Sequence, residues 1–118
     1  MTRKQMQSSM ERLLKQVLIQ RDEGQKEYAH DEDNVFANFQ RVANTLKVPQ
    51  EKVLMTYLLK HIDGIVSYVE GHRSQREAVS GRIVDAIVYL CLLDGMITQD
   101  LIKDTEYWTS TFTEDPDK

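Results

Sequence analysis

The sequence contains few of the residues that form covalent or metal-bound scaffolds. Among 118 residues there are one cysteine, Cys91, and three histidines. One cysteine cannot form an internal disulfide, and these scattered residues lack the ligand spacing of a closed zinc site. The apolar runs are far shorter than the roughly 20 residues needed to cross a bilayer, and the polar start of the chain is not followed by a signal-type apolar block. We therefore predict a soluble, cytoplasmic protein in which Cys91 is a buried, reduced thiol.

Motifs of common catalytic centres are also missing. The chain has no glycine-rich phosphate loop and no serine in a recognisable nucleophile turn. Its net charge of -4 and isoelectric point near 5.3 disfavour binding to long nucleic acid, which usually requires a large basic surface. A small phosphorylated ligand is still compatible with this composition, because it needs only a local cluster of positive charge.

Apolar residues recur at helical spacing along most of the chain, without the alternation of a β-strand. The predicted helices run from about residue 4 towards 28, from 34 to 46, from 49 to 69 and from 74 to about 95. Ser74 and Glu77 match a capping box at the start of the last helix, and Gly71 is placed to end the helix before it. We predict an all-α, four-to-five-helix antiparallel bundle over residues 1–97. We predict that residues 98–118 form a tail and that a short helix at 97–102 overlaps its start. Trp108 of the tail is expected to dock on the body or on a second subunit.

Two helices carry ordered polar residues. On the last predicted helix Arg82, Asp85 and Tyr89 follow the spacing i, i+3, i+7 and therefore share one side of an apolar helix. Breaking a buried charge pair costs roughly 3–5 kcal/mol, so these residues either form a structural pair or face a polar cleft. Both interpretations stay open.

The preceding helix has a second stripe, made of Tyr57, His61, Gly64 and Tyr68. Such a stripe can form a pocket wall, with aromatic rings that stack on a base and a glycine that permits close approach of a ligand. Tyrosines at helical spacing are also common in cores and subunit interfaces, which is the alternative.

Two loops have concentrated charge. Arg73 and Arg76 stand near the predicted start of the last helix, where free backbone N–H groups favour phosphate; pairing with Glu77 is the competing interpretation. The loop at 30–34 has three carboxylates and an amide, including Asp31, and either contributes to a metal site with phosphate or is simply solvated.

Four segments of the chain carry a family resemblance: KEY at 26–28, DEDNVFANF at 31–39, YLLKHID at 57–63 and GRIVDAIVYL at 81–90. Together they resemble small phage-type relatives of the MazG-like all-α nucleotide pyrophosphohydrolases. The resemblance implies a helical homo-oligomer in which acidic residues hold Mg²⁺ against a nucleoside triphosphate, and water releases pyrophosphate to leave a monophosphate. It also implies location in the host cell cytoplasm.

The resemblance places Asp85 at the acid of the last core helix. The family's Glu-Glu-x-x-Glu pattern is replaced by Lys60-His61-Ile62-Asp63, which removes metal ligands and adds positive charge. The predicted metal ligands are the nearby acids that the chain still offers, Asp63, Glu77 and Asp85. The predicted ligand-binding residues are Tyr57, Lys60, His61, Arg73, Arg76, Arg82, Asp85 and Tyr89.

Three hypotheses follow for the function. The first is a nucleotide-binding protein that uses Mg²⁺ for hydrolysis. The second is a non-catalytic counter-defence protein, without cofactor, that sequesters a nucleotide or cyclic-nucleotide immune signal. The third is a structural module that contacts itself or a host protein. Homo-oligomerisation is expected in each case, because the helices offer more apolar surface than one small body buries.

Overall fold

The structure, a computed structural model, describes residues 1–29 and 33–102. These residues form four α-helices and contain no β-strand, which confirms the prediction of an all-α protein. The helices are α1 (Arg3–Gly24), α2 (Ala37–Leu46), α3 (Gln50–Val69) and α4 (Val79–Ile102), and a π-helical turn (Gln25–Ala29) follows α1. None of the described helices is both long and apolar enough to cross a membrane.

Local hydrogen bonds explain where several helices begin and end. At the start of α1 the Thr2 hydroxyl accepts from the Gln5 backbone N–H at 3.1 Å, and the Gln5 side chain accepts from the Thr2 N–H at 2.8 Å. Before α2 the side chain of Asn34 accepts from the Phe36 N–H at 3.2 Å. Gly71, at φ 110°, follows α3 in the left-handed conformation that glycine adopts without strain, as its predicted role requires.

Helices α3 and α4 form an antiparallel hairpin. Gly64 of α3 lies against Arg82 of α4, and His61 lies against Asp85. Tyr57, about one turn before His61 in α3, stacks on Tyr89, about one turn after Asp85 in α4. The two polar stripes predicted on separate helices therefore face each other, one pair after another.

The main core lies between α2, α3 and α4. Leu54 of α3 and Met96 of α4 are completely buried, and Phe36 and Phe39 pack beside them. Helix α1 is held more loosely: it packs on α4, and Val17 is the residue of α1 that is buried. The core thus fixes the α3–α4 hairpin firmly and leaves much of α1 outside the body.

Three expectations require correction. Helix α4 begins at Val79, not at Ser74, because the intervening Gln75 uses its side chain for tertiary hydrogen bonds and the segment stays a loop. It continues to Ile102 and does not end near Gly95. Cys91 is exposed, because it lies on a side of α4 that no described helix covers. The predictions for Trp108 and Asp31 concern residues outside the described ranges.

Candidate ligand site

A cavity of about 310 Å³ lies where all four helices approach one another. Phe39, Val88 and Leu92 supply part of its apolar lining. Its polar lining comes from every helix and consists of Gln20, Arg21, Asn38, His61, Asp85 and Tyr89. The predicted residues His61, Asp85 and Tyr89 are thus brought together at one concave site, which is the usual form of a small-molecule site.

His61 and Asp85 form the polar centre of the cavity. The His61 Nδ1 atom lies 3.7 Å from the Asp85 Oδ2 atom, a distance within ion-pair range but too long for a hydrogen bond. Nδ1 is buried and has no hydrogen-bond partner among the described residues. Burial raises the pKa of Asp85; His61 opposes this shift, and the nearby charge of Glu77 adds to it. The site therefore holds an unsatisfied imidazole nitrogen beside a carboxylate whose charged form is disfavoured.

Glu77 joins this pair in a cluster that can hold a metal ion. One ligand atom from each of His61, Glu77 and Asp85 lies within 4.8 Å of the others. Mg²⁺ commonly takes one or two protein carboxylates and completes its octahedron with water and phosphate oxygens, so the two acids fit that ion. The imidazole is more typical of zinc or iron. Asp63, the third predicted metal ligand, is exposed and lies outside this cluster.

Arg82 connects α3, α4 and the loop between them. Its side chain lies across Gly64, where an added Cβ would be 2.5 Å from Arg82 Nη1. Arg82 Nε donates to Gln75 Oε1 at 3.0 Å, and Gln75 Nε2 donates to the carbonyls of Gly64 at 3.0 Å and His72 at 3.1 Å. Glu77 lies 3.9 Å from Arg82 Nη1. This network holds the loop, and with it Glu77, against the hairpin.

An aromatic cluster continues from the cavity. The Tyr89 ring lies 5.5 Å from the His61 ring and stacks on Tyr57, with centroids 6.3 Å apart. Phe39 meets both tyrosines edge-on. A second cavity of about 310 Å³ lies between this cluster and Arg41 of α2. Tyr57 is therefore placed at the second cavity, whereas Tyr89 lines both.

The other predicted basic residues lie apart from the main cavity. Lys60 is exposed on α3. Arg73 packs over the Tyr68 ring at 4.4 Å, and Arg76 is exposed in the loop. The prediction that these arginines stand at the start of a helix was wrong, because α4 begins after them.

Three polar residues of the cavity, Gln20, Arg21 and Asn38, were not predicted from the sequence. Arg21, near the end of α1, donates to Gln25 Oε1 at 2.7 Å, and Asn38 lies in the first turn of α2. Asn38 belongs to a segment that carried the family resemblance, but no role was assigned to it. No sequence pattern marks Arg21 as a site residue, since basic residues on the polar side of an amphipathic helix are usually solvated.

Replacement of Asp85 by asparagine is expected to raise the melting temperature at pH 7. The folded-state pKa of this carboxyl is above its ordinary value of 3.8, so ionisation costs the folded state stability as the pH rises through that range. The gain should disappear as the pH falls to about 3.8. Thermal unfolding in EDTA between pH 3.5 and 8 measures it, with the exposed Asp94→Asn on the same helix as control. If the difference in melting temperature between Asp85→Asn and the parent protein does not change with pH, the raised pKa of Asp85 is contradicted.

Comparison with protein-family models, curated proteins and solved structures found no match for this chain. The functional assignment therefore depends on the residues of the cavity and on the chemistry they support.

Proposed function

We propose that this protein binds a nucleotide or a nucleotide-derived small molecule in the cavity lined by its four helices. One observation carries the proposal: a cation, an amide, an imidazole and a carboxylate line one cavity beside an aromatic ring. These groups are Arg21, Asn38, His61, Asp85 and Tyr89. Together they come from all four helices, with Asp85 and Tyr89 both on α4, so the fold and not a local sequence motif assembles them.

Each group suits one part of a nucleotide. The guanidinium of Arg21 can pair with a phosphate in bidentate geometry, and the unsatisfied His61 nitrogen adds a further polar contact. The Tyr89 ring offers a surface on which a base can stack. Asn38 and Asp85 can hydrogen-bond to the edge of a base or to ribose hydroxyls. This combination discriminates a nucleotide from a purely apolar ligand.

The size and charge of the cavity favour a small ligand. About 310 Å³ is at the lower end of the range of 300–1,000 Å³ for small-molecule pockets. One arginine cannot neutralise a long polyphosphate, and the chain has a net charge of -4. A single nucleotide unit is therefore favoured over a polynucleotide.

Native mass spectrometry of freshly purified protein, followed by thermal shifts, tests this proposal. The panel comprises nucleoside mono-, di- and triphosphates and cyclic dinucleotides, each with magnesium and with EDTA. A ligand at 100 times its dissociation constant adds about 2.7 kcal/mol of stability, which a thermal shift detects easily. Absence of any shift at millimolar concentration would contradict nucleotide binding and favour the structural or host-protein interaction module.

A second candidate is metal-dependent hydrolysis of the bound nucleotide, for which the cluster of His61, Glu77 and Asp85 provides the support. The residues would hold a divalent ion, which supplies charge stabilisation to phosphates when bound. Release of pyrophosphate from a triphosphate with Mg²⁺, and its loss in Glu77→Gln, would identify the enzyme. A ligand that is recovered chemically unchanged after denaturation would instead identify a sequestering protein.

A further inference from the structure

The second cavity adjoins the one proposed as the nucleotide site. It has a similar volume, about 310 Å³, and its lining comes from α2, α3 and α4. Three residues line both cavities, namely Asn38, Phe39 and Tyr89. The two spaces are therefore neighbours, and a ligand with two linked parts can occupy both.

The second cavity offers the same kinds of groups as the first. Tyr57, which is 40% exposed, contributes an aromatic ring, and Arg41 contributes a guanidinium. In the first cavity Tyr89 and Arg21 supply the corresponding ring and cation. An aromatic ring with a guanidinium nearby suits the base and the phosphate of a nucleotide. Each cavity therefore has the groups needed for one nucleotide unit.

The Arg41 guanidinium is available to a ligand. Arg41 is exposed, and its side chain makes no ion pair with any residue of 1–29 and 33–102. Its positive charge is therefore not neutralised by a carboxylate in these parts of the chain. Together with Arg21 it provides one cation in each cavity, which matches a ligand with two phosphate groups.

Asn38 supplies an amide where the two cavities meet. It lies in the first turn of α2, and Arg41 follows three residues later, so the two side chains are neighbours on one side of the helix. The other shared residues, Phe39 and Tyr89, meet edge-on with ring centroids 6.4 Å apart. The Asn38 amide both donates and accepts hydrogen bonds, which suits the sugar and phosphate groups that link two nucleotide units.

We propose that the ligand is a dinucleotide, with one of its two phosphate-linked nucleotide units in each cavity. This inference rests on the proposed nucleotide site and specifies the class of ligand. Arg21 and Arg41 pair with the two phosphate groups, and the bases stack on Tyr89 and Tyr57. The main cavity is at the lower end of the size range for small-molecule pockets, so the second unit needs the neighbouring space. Linear and cyclic dinucleotides share this chemistry.

Isothermal titration in EDTA, which prevents metal-dependent hydrolysis, tests the proposal. The probes are the 5′-monophosphates of adenosine, guanosine, cytidine and uridine, with the 5′-phosphorylated linear and the cyclic homodinucleotides of the same bases. Each chain is expected to bind one dinucleotide but two monophosphates at saturation. The best dinucleotide should bind at least about 100-fold more tightly than its monophosphate, because the linkage makes binding of the second unit intramolecular.

Two variants of the second cavity locate the second unit. Arg41→Ala should weaken dinucleotide binding by about 10- to 150-fold and should leave one monophosphate per chain, bound with unchanged affinity. Arg12→Ala, the same change at an exposed position of α1, should alter neither measurement. Tyr57→Leu removes the stacking surface and should weaken dinucleotide binding by about 5- to 150-fold. Tyr57→Phe keeps the ring and should keep the affinity.

The outcomes separate this inference from the proposed function. If one monophosphate binds per chain and no dinucleotide binds more tightly, the nucleotide site is supported and the dinucleotide is overturned. An Arg41→Ala variant that keeps its helical circular dichroism and its full affinity for the dinucleotide would also overturn the inference. If no probe binds at millimolar concentration, both proposals fail. Tighter binding of either the linear or the cyclic form supports the inference and identifies the linkage.

Discussion

Truncation of Leu54 to alanine is expected to lower the free energy of unfolding by about 2–5 kcal/mol. Leu54 has no exposed surface and lies in the core formed by α2, α3 and α4. The loss combines the transfer free energy of the removed methyl groups with the cost of the cavity left behind. Since a domain of this size is stable by only about 5–15 kcal/mol, this one change removes a large part of its stability. Urea unfolding followed by circular dichroism measures the effect.

Leu46→Ala is the matched control for this prediction. The same chemical change is made there on a side chain that is 63% exposed, at the end of α2. Its effect should stay within about 0.5 kcal/mol, as for most surface substitutions. Equal losses for the two variants would show that Leu54 does not occupy the core position described here.

Arg21→Ala is expected to weaken the proposed nucleotide binding by about 10- to 150-fold while the helical fold is kept. Arg21 is the arginine of the cavity lining, and a hydrogen bond to a charged group contributes about 1.5–3 kcal/mol. The hydrogen bond from Arg21 to Gln25 is lost as well, so stability must be measured alongside affinity. Isothermal titration with the strongest ligand from the thermal-shift panel gives the change in dissociation constant.

Two further variants separate a specific contact from general electrostatic attraction. Arg12→Ala removes the same charge from an exposed position of α1, two and a half turns earlier, and should leave the affinity unchanged. Arg21→Lys keeps the charge but not the bidentate geometry, and should lose part of the affinity. If Arg12→Ala weakens binding as much as Arg21→Ala, the phosphate does not sit at Arg21.

The sequence predicted the helices and the polar stripes because both depend on local periodicity. His61 and Asp85 were identified from spacing along their own helices, and the hairpin brings them together. Their pairing depends on the register of α3 against α4, which the core around Leu54 and Met96 determines. The periodicity of apolar and polar residues within one helix does not indicate the register of α3 against α4.

The incorrect and missing predictions have a common cause, because they concern tertiary contacts that local sequence patterns do not indicate. The capping signal at Ser74 was overridden because Gln75 bonds to Gly64 and Arg82, which keeps the chain in a loop. Cys91 was predicted to be buried because it stands in an apolar run, but α4 leaves one apolar side uncovered. Asn38 and Arg21 could not be recognised from spacing, since each reaches the cavity from a different helix.

The loose attachment of α1 has a consequence for the kinetics of ligand exchange. One wall of the cavity is formed by Gln20, Arg21 and Gly24, and the helix that carries them buries Val17 alone. Separation of this helix end from α4 exposes little apolar surface, so its opening free energy is a small fraction of that for global unfolding. The ligand proposed for this cavity is therefore expected to enter and leave on the timescale of local helix motion, while the core that includes Leu54 and Met96 stays intact.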